Sequence, residues 1–480
     1  MSKPYTFDAV IVGAGIAGLI AAVRLAESGL RVGVFEKGEH EKYPCNSRMT
    51  GGAFHVAFRD VNDDESVLLD AINKRTRGSA RPELVDAMAK DIGTAVQWLK
   101  SMGVRFIKVG HEIHRQHTLA PPILLQGRTY WEGRGGDVML RTLGGALKDL
   151  GGTLLLGARV VRLRMQDGRC VGLEMEQQGA RVPVQADSVV LCDGGFQANH
   201  DLMKEFITPA PEKVKQRGAA TGNGDGLRMA RAVGAQLIGM NRFYGHVLAQ
   251  DAMHNDDLWP FPIIDFVCTA GVVIEASARR FVDEGLGGVY MTNRIAGLPD
   301  PLAAIVVFDQ AIWDGPGREF ISPANPLLVT RGGTLFTAPD LAGLARQLGL
   351  PPPVLAETVS RYNAAVDADE TGRLDPPRTI ATHRAHPIRT PPFHAVRLCA
   401  GITYTMGGIA IDGASRVLNA TNEPIAGLYA AGCATGGLEG GESIAYIGGL
   451  TKSSVTALRA ANEIAAEHAT IDLKPSANII

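Results

Sequence analysis

Residues 8–36 read DAVIVGAGIAGLIAAVRLAESGLRVGVFE, and this stretch decides the fold. Asp8–Val12 is a short apolar, β-branched run of the kind found in buried parallel strands. Gly13-Ala14-Gly15-Ile16-Ala17-Gly18 follows as a GxGxxG and opens a helix predicted from Ile16 to Ser28, ended by Gly29. A second strand is predicted over Arg31–Phe35, with Glu36 at its end. A GxGxxG alone is weak. Here a strand precedes it, a helix follows it and an acid stands about 20 residues on, which together predict a dinucleotide site. Gly13 permits the tight turn. Gly15 lets main-chain N–H groups reach a pyrophosphate at the helix N-terminus, where the helix dipole favours anions. Gly18 lets helix and strand approach closely, and Glu36 is placed to accept from ribose hydroxyls.

The bulk properties bound what surrounds this unit. A chain of 480 residues predicts two domains. Its formal net charge of −2, with acids and bases interspersed, lacks the basic footprint of a nucleic-acid binder. Cys45, Cys170, Cys192, Cys268, Cys399 and Cys433 form no CxxC pair and show no zinc or haem spacing. Free thiols in a reducing compartment are expected, with no metal and no internal iron–sulfur or haem relay. The apolar run Ala9–Val23 is broken by three glycines and is shorter than the roughly 20 residues of a membrane helix. A cytoplasmic protein without a membrane span or lipid anchor is expected.

The segment after Glu36 selects the cofactor. Glu36-Lys37 leads to Asn46-Ser47-Arg48-Met49-Thr50-Gly51-Gly52-Ala53, a small polar stretch ending in Gly-Gly. It resembles the flavin-side loop of FAD proteins. Ala186–Cys192 reads as a strand before Asp193-Gly194-Gly195, and Ile425–Ala431 as a strand before Gly432. The predicted FAD contacts in the first unit are Gly13, Gly15, Ile16, Ala17, Gly18, Glu36 and Lys37. Ser47, Thr50, Gly51 and Gly52 follow in the polar loop, and Val161 offers its backbone to the adenine. Asp193, Gly194, Asp225 and Gly432 come next. Gly449, Leu450 and Thr451 open a helix, predicted over Gly449–Ala466, whose N-terminus faces the flavin.

With these pieces in order, the chain resembles the FAD-dependent fumarate reductase, succinate dehydrogenase and 3-ketosteroid dehydrogenase superfamily. The matching motifs are GAGIAG, NSRMTGG, GGFQAN (Gly194–Asn199), TGNGDG (Thr221–Gly226), RRFVDEG (Arg279–Gly285), GITYTMGG (Gly401–Gly408) and GLYAAG (Gly427–Gly432). RFVDEG and GITYTMGG are most similar to tricarballylate dehydrogenase and its relatives. The resemblance implies an α/β fold: a Rossmann-like FAD-binding domain from 1–240 and 403–480, with an inserted α+β capping and substrate domain at 241–402. It also implies chemistry on a C–C bond next to a ketone or carboxylate, with hydride passing to or from flavin N5.

The chain departs from fumarate reductases at charged positions. The family's proton-donating arginine falls on Gly288, seven residues after Phe281, and its histidine before TMGG on Tyr404. Its arginine before the late Gly-Gly falls near Tyr446-Ile447. Fewer cationic anchors disfavour a small dicarboxylate. His246 stands where the family has a substrate-binding histidine. Tyr404, Tyr446 and Tyr290 are candidate proton-transfer or carbonyl-polarising groups, as in ketosteroid dehydrogenases, and Arg242 and Arg397 are candidate carboxylate anchors. No histidine lies in Asn46–Gly52, so the FAD is expected to be non-covalent.

Three readings remain. The first is a dehydrogenase (desaturase) of a ketone or carboxylic acid that passes electrons to a separate acceptor. The second is an enone or enoate reductase fed by a separate donor, and the third a non-catalytic flavin-binding sensor. Helices are further predicted over Arg81–Met102, with Trp98 and Leu99 in the core, and over Val354–Val366. His383 and His386 read as loop residues, and the last several residues as frayed.

Overall fold

The computed structural model describes residues 5–124 and 130–472. The expected first unit is present, with small shifts at its ends. Tyr5–Val12 and Val32–Glu36 are parallel neighbours, joined by the helix Ile16–Glu27. Ala9, Val10 and Ile11 are wholly buried, the Val10 and Ile11 side chains each contributing about 1.5–3 kcal/mol of transfer free energy. Thr153–Leu156 extends the sheet beyond Val32–Glu36. Ala180–Leu191 and then Pro424–Ala430 extend it on the other side, all in parallel. Arg416–Leu418 and the hairpin Arg159–Gln166 with Arg169–Gln177 complete eight strands by antiparallel pairing.

The strand predicted over Ala186–Cys192 is the parallel end of the longer Ala180–Leu191. Its first half pairs antiparallel with Arg169–Gln177, a partner that no local pattern announces. Two glycines are required by space at the first turn. A Cβ on Gly18 would stand 1.9 Å from the Gly13 carbonyl oxygen. Gly13 has φ +92°, and a Cβ there would meet Asp193 Cα at 2.9 Å. Val12, Gly13 and Asp193 therefore share one crevice at the carboxyl ends of adjacent parallel strands, the usual ligand position in such sheets.

The second sheet has six strands, drawn from residues 215–405. Its spine is Phe393–Thr405, which pairs antiparallel with Phe243–Ala249, Ile305–Asp309 and Phe336–Ala338. The core behind it also takes in Phe196, Leu202 and Met203. The spine strand ends at Thr405, and Gly408–Ile409 then pairs with Leu237–Ile238. Tyr404 thus stands where the second sheet hands the chain back to the first body.

The predicted helices are observed as Pro82–Ser101, Pro352–Asp367 and Gly449–Asp472. Leu99 is in the core, whereas Trp98 sits at its rim and donates to Glu27 at 3.0 Å. Among the described residues no helix is long and apolar enough to cross a membrane. The residues expected to fray lie partly outside the described ones.

Candidate active site

The crevice is lined by Gly13, Gly15, Glu36, Lys37, Val160 and Asp193, among others. Glu36 is held from two sides, accepting from the N–H groups of Ala14 at 2.9 Å and Gly38 at 2.8 Å. Ser47 Oγ accepts from Ile16 N–H at 3.0 Å, so the polar loop sits on the N-terminus of the first helix. Thr50 Oγ1 accepts from Gly52 N–H at 3.2 Å, and main chain at Gly51 and Gly194 is open on the side a Cβ would occupy. Lys37 donates to Thr221 O at 2.6 Å and pairs with Asp225 at 3.3 Å. Asp225 also accepts from Arg159 at 3.0 Å and Arg228 at 2.7 Å. Burial pushes its carboxyl up, but these cations outweigh that and hold it below the usual carboxylate range.

Val160 lines this crevice and also the neighbouring opening, which Val161 shares with Arg162 and Arg228. Gly432 N–H donates to Thr456 Oγ1 at 2.9 Å, and a Cβ on Gly432 would stand 3.0 Å from that of Ala17. Gly449 starts the last helix, with half-buried Leu450 next to it. Thr451 Oγ1 donates to His55 O at 2.9 Å and ties the helix start to the segment after Gly51-Gly52.

A second cluster lies where the spine strand leaves the cap sheet. Tyr404, Met406 and Ile444 are buried there, with Tyr244, Val289, Tyr290 and Tyr446 packed against them. The structure therefore brings together all three sequence-predicted tyrosines. Tyr244 stacks on Tyr446 with ring centroids 4.0 Å apart. Tyr404 Oη donates to Glu439, 3.1 Å from Oε1 and 3.0 Å from Oε2. Burial first, then the Glu439 charge, holds the Tyr404 phenol well above its ordinary value. Burial pushes the Tyr244 phenol up to about 12.

His246 joins this cluster through groups the sequence did not single out. Tyr244 Oη lies 3.0 Å from His246 Nε2, and His246 Nδ1 lies 2.6 Å from Asp265 Oδ2. The other Asp265 oxygen accepts from Val247 N–H at 2.8 Å. With Nδ1–H donated to the carboxylate, Nε2 is left to accept from the phenol. Tyr244 was legible in principle, because it stands two residues before His246 on one strand and so shares its face. Asp265 and Glu439 carry no such signal.

The nearby arginines donate to main-chain and hydroxyl oxygens, and Arg217 Nε, buried, has no partner. Arg242 donates to Gly441 O at 3.1 Å and Asn241 O at 2.9 Å. Arg397 donates to Leu348 O at 2.9 Å and lies over the Phe336 ring, within the cap sheet. Buried Arg217 donates to Thr403 Oγ1 at 2.9 Å and Pro260 O at 3.0 Å. His383 and His386 join no group of potential metal ligands among the described residues; Asp8, Asp187 and His468 form one where two adjacent central strands meet the last helix. All six cysteines are free thiols.

A family model described as FAD binding domain matches residues 8–445. The chain belongs to this FAD binding domain family. The structure fits that cofactor on its own terms. Gly13 and Gly15 present bare main chain to the crevice, and Asp193 Oδ1, buried beside it, has no hydrogen-bond partner. Family relatives extend over most of the chain. A probable fumarate reductase of Shewanella frigidimarina is 26% identical over 97% of this chain and 75% of its own length. A 4-oxocyclohexanecarboxylate 2-dehydrogenase of Sinomonas cyclohexanicum is 25% identical over 90% and 88%. A vinyl phenol reductase of Lactiplantibacillus plantarum is 24% identical over 92% of each. The fold is shared with a 3-ketosteroid-Δ4-(5α)-dehydrogenase of Rhodococcus jostii, at a TM-score of 0.72, 24% identity and coverage of 97% of this chain and 98% of the other. The protein is an FAD-dependent oxidoreductase of the kind that acts on CH–CH groups.

Proposed function

We propose that this protein is a dehydrogenase that desaturates the C–C bond beside a ketone, or the ketone-like carbonyl of an acid, in a small and weakly charged substrate. Electrons then leave to a separate acceptor. The observation that carries this reading is the oriented chain Tyr244–His246–Asp265. Removing hydrogen beside a carbonyl requires a group that takes a proton from carbon. A phenol by itself is a poor base at neutral pH, and burial makes Tyr244 poorer still. A phenol whose own proton can pass to an imidazole, steadied by a carboxylate on the far nitrogen, is a competent one.

FAD, when bound, supplies the hydride acceptor. Glu36, Ser47, Asp193 and the main chain of Gly13, Gly15 and Gly449 would hold it. The chain's own residues do the rest. Tyr244 takes the proton and His246 receives that of the phenol. Asp265 keeps the imidazole in the tautomer that can accept. Tyr290, Tyr446, Met406 and Ile444 give the phenol cluster an apolar wall that excludes water. Tyr404, Gly288 and the Tyr446 region stand where fumarate reductases carry cationic or proton-donating groups, and this favours a substrate without two carboxylates.

The same chain can return a proton, so a reductase fed by a separate donor is the second reading. The names of the fumarate and vinyl phenol reductases similar to this chain favour it. Anaerobic mixing of the yellow protein with cyclic ketones, ketosteroids, tricarboxylates and succinate separates the two. Bleaching by a ketone supports the dehydrogenase. No bleaching, together with reoxidation of the dithionite-reduced protein by an enone or enoate, would replace it with the reductase.

A further inference from the structure

Glu439 is wholly buried, and its carboxylate is shared among four donors. Tyr404 Oη reaches both oxygens. Ile447 N–H donates at 3.0 Å and Gly448 N–H at 3.2 Å to Oε1. Lys452 Nζ stands 2.9 Å from Oε2, and its side chain is only 2% exposed. Burial alone would pull the Lys452 ammonium down, but Glu439 outweighs it and holds the group above its ordinary value.

A buried ion pair is a poor device for stability, because desolvating two charges offsets most of their attraction. What this pair grips suggests another use. Tyr404 is one wall of the phenol cluster. Ile447 and Gly448 directly follow Tyr446, another wall, and lead into the helix that begins at Gly449. A Cβ on Gly449 would stand 3.2 Å from Tyr404 Oη, so the helix start and the phenol are in register to within a methyl group.

We infer that Glu439 is a positioning residue: its carboxylate, held by Lys452, sets the hydroxyl of Tyr404 and the main chain that carries Tyr446. The Tyr404 proton is engaged by the carboxylate, so the phenol oxygen presents lone pairs to the cluster. Tyr404 then accepts a hydrogen bond from the substrate side or orders a donor there. The inference rests on the phenol cluster being the substrate site. The groups around the Tyr404 phenol are Glu439, Tyr446, Cys433, Lys452 and Tyr244.

Changing Glu439 alone would strand a buried ammonium, so the neutral pair Glu439→Gln with Lys452→Met is the variant to use. The holoenzymes of wild type, this pair, Tyr404→Phe and the combination form a cycle. The probe is reoxidation of dithionite-reduced protein by 2-cyclohexen-1-one. The expected result is a fall in kcat on the order of 10-fold or more for the pair, with KM little changed. In the Tyr404→Phe background the same pair should cost little further, because the Gln oxygen can still accept from Ile447 and Gly448 N–H and only the anchor of the hydroxyl is lost. Losses that multiply across the cycle would overturn the inference.

A second readout needs no substrate. The tyrosinate step that Tyr404→Phe abolishes should move to lower pH in the neutral pair, since the carboxylate removed stands 3.0 Å from the hydroxyl and the ammonium removed with it lies farther off, 5.6 Å from the ring centroid. A step that stays in place overturns the inference. If the wild type ignores the enone, the ketone that bleaches the flavin replaces it as the probe of the cycle; if no ketone bleaches it, the ketone reading fails by itself, and the titration decides the role of Glu439.

Discussion

Tyr244 and Tyr404 face each other across adjacent antiparallel strands, directly opposed in register, with ring centroids 5.5 Å apart. Each phenol is backed by its own acceptor: His246 behind Tyr244 and Glu439 behind Tyr404. The two proton-handling arms therefore come from different parts of the chain and meet at one strand pair. Their separate backing makes them separable by mutation.

Asp265→Asn tests the first arm. The Asn side-chain oxygen can still accept from Val247 N–H, so the fold should survive with its FAD content intact. The imidazole loses the carboxylate that fixes its tautomer. The rate of flavin bleaching by a reactive ketone should drop on the order of 10²-fold or more. A variant that bleaches at the wild-type rate would remove this chain from the mechanism.

The flavin should come away intact. Acid precipitation of the yellow protein is expected to leave FAD in the supernatant and a colourless pellet, as Asn46–Gly52 offers no histidine for attachment. A pellet that stays yellow would contradict this. Glu36→Gln should weaken FAD retention in equilibrium dialysis by about 10-fold or more, through loss of a charge-assisted bond to the ribose.

Asp193 should impose a pH dependence on the cofactor-free protein. Burial raises its carboxyl to about 6, against partial relief from Gly226 N–H and Lys37. A raised acid stabilises the fold fully only below its unfolded value. That contribution is lost as pH climbs from about 4 through 6, to the extent of up to about 3 kcal/mol. In apo-protein, Asp193→Asn should raise the urea midpoint at pH 7 and leave it little changed at pH 4. Equal shifts at both values would argue against a buried, raised carboxyl.

His55 works in the opposite direction. It is almost fully buried, and burial lowers it to about 3, with His114 and Arg75 adding to the effect. A depressed imidazole leaves stability intact above its ordinary value near 6.5. Stability is lost as pH falls from there towards 3, by on the order of a few kcal/mol. Its Nδ1 accepts from Phe58 N–H at 3.2 Å, a bond that the Asn oxygen can replace. His55→Asn should therefore melt at nearly the wild-type temperature at pH 8 and at a higher one at pH 5. A wild-type melting curve no more acid-sensitive than that of the variant would show that the imidazole is accessible to protons.

Residues 8–36 by themselves determined the first parallel strand pair, the helix between them and the crevice at Gly13. Those features follow from apolar runs, small residues and glycines whose effects are local to the backbone. Local periodicity likewise announced the helices at 82–101, 352–367 and 449–472 to within a few residues, except at the last helix's C-terminal end. Tyr404, Tyr446, Tyr290 and His246 could be named as candidates, but nothing in their neighbourhoods stated that they share one cluster. Asp265 behind His246, Glu439 behind Tyr404 and the unpartnered oxygen of Asp193 were decided only by tertiary structure. An acid looks the same in sequence whether it is solvated or buried. Its role is set by which distant strand or helix closes over it, and by whether that neighbour brings a donor.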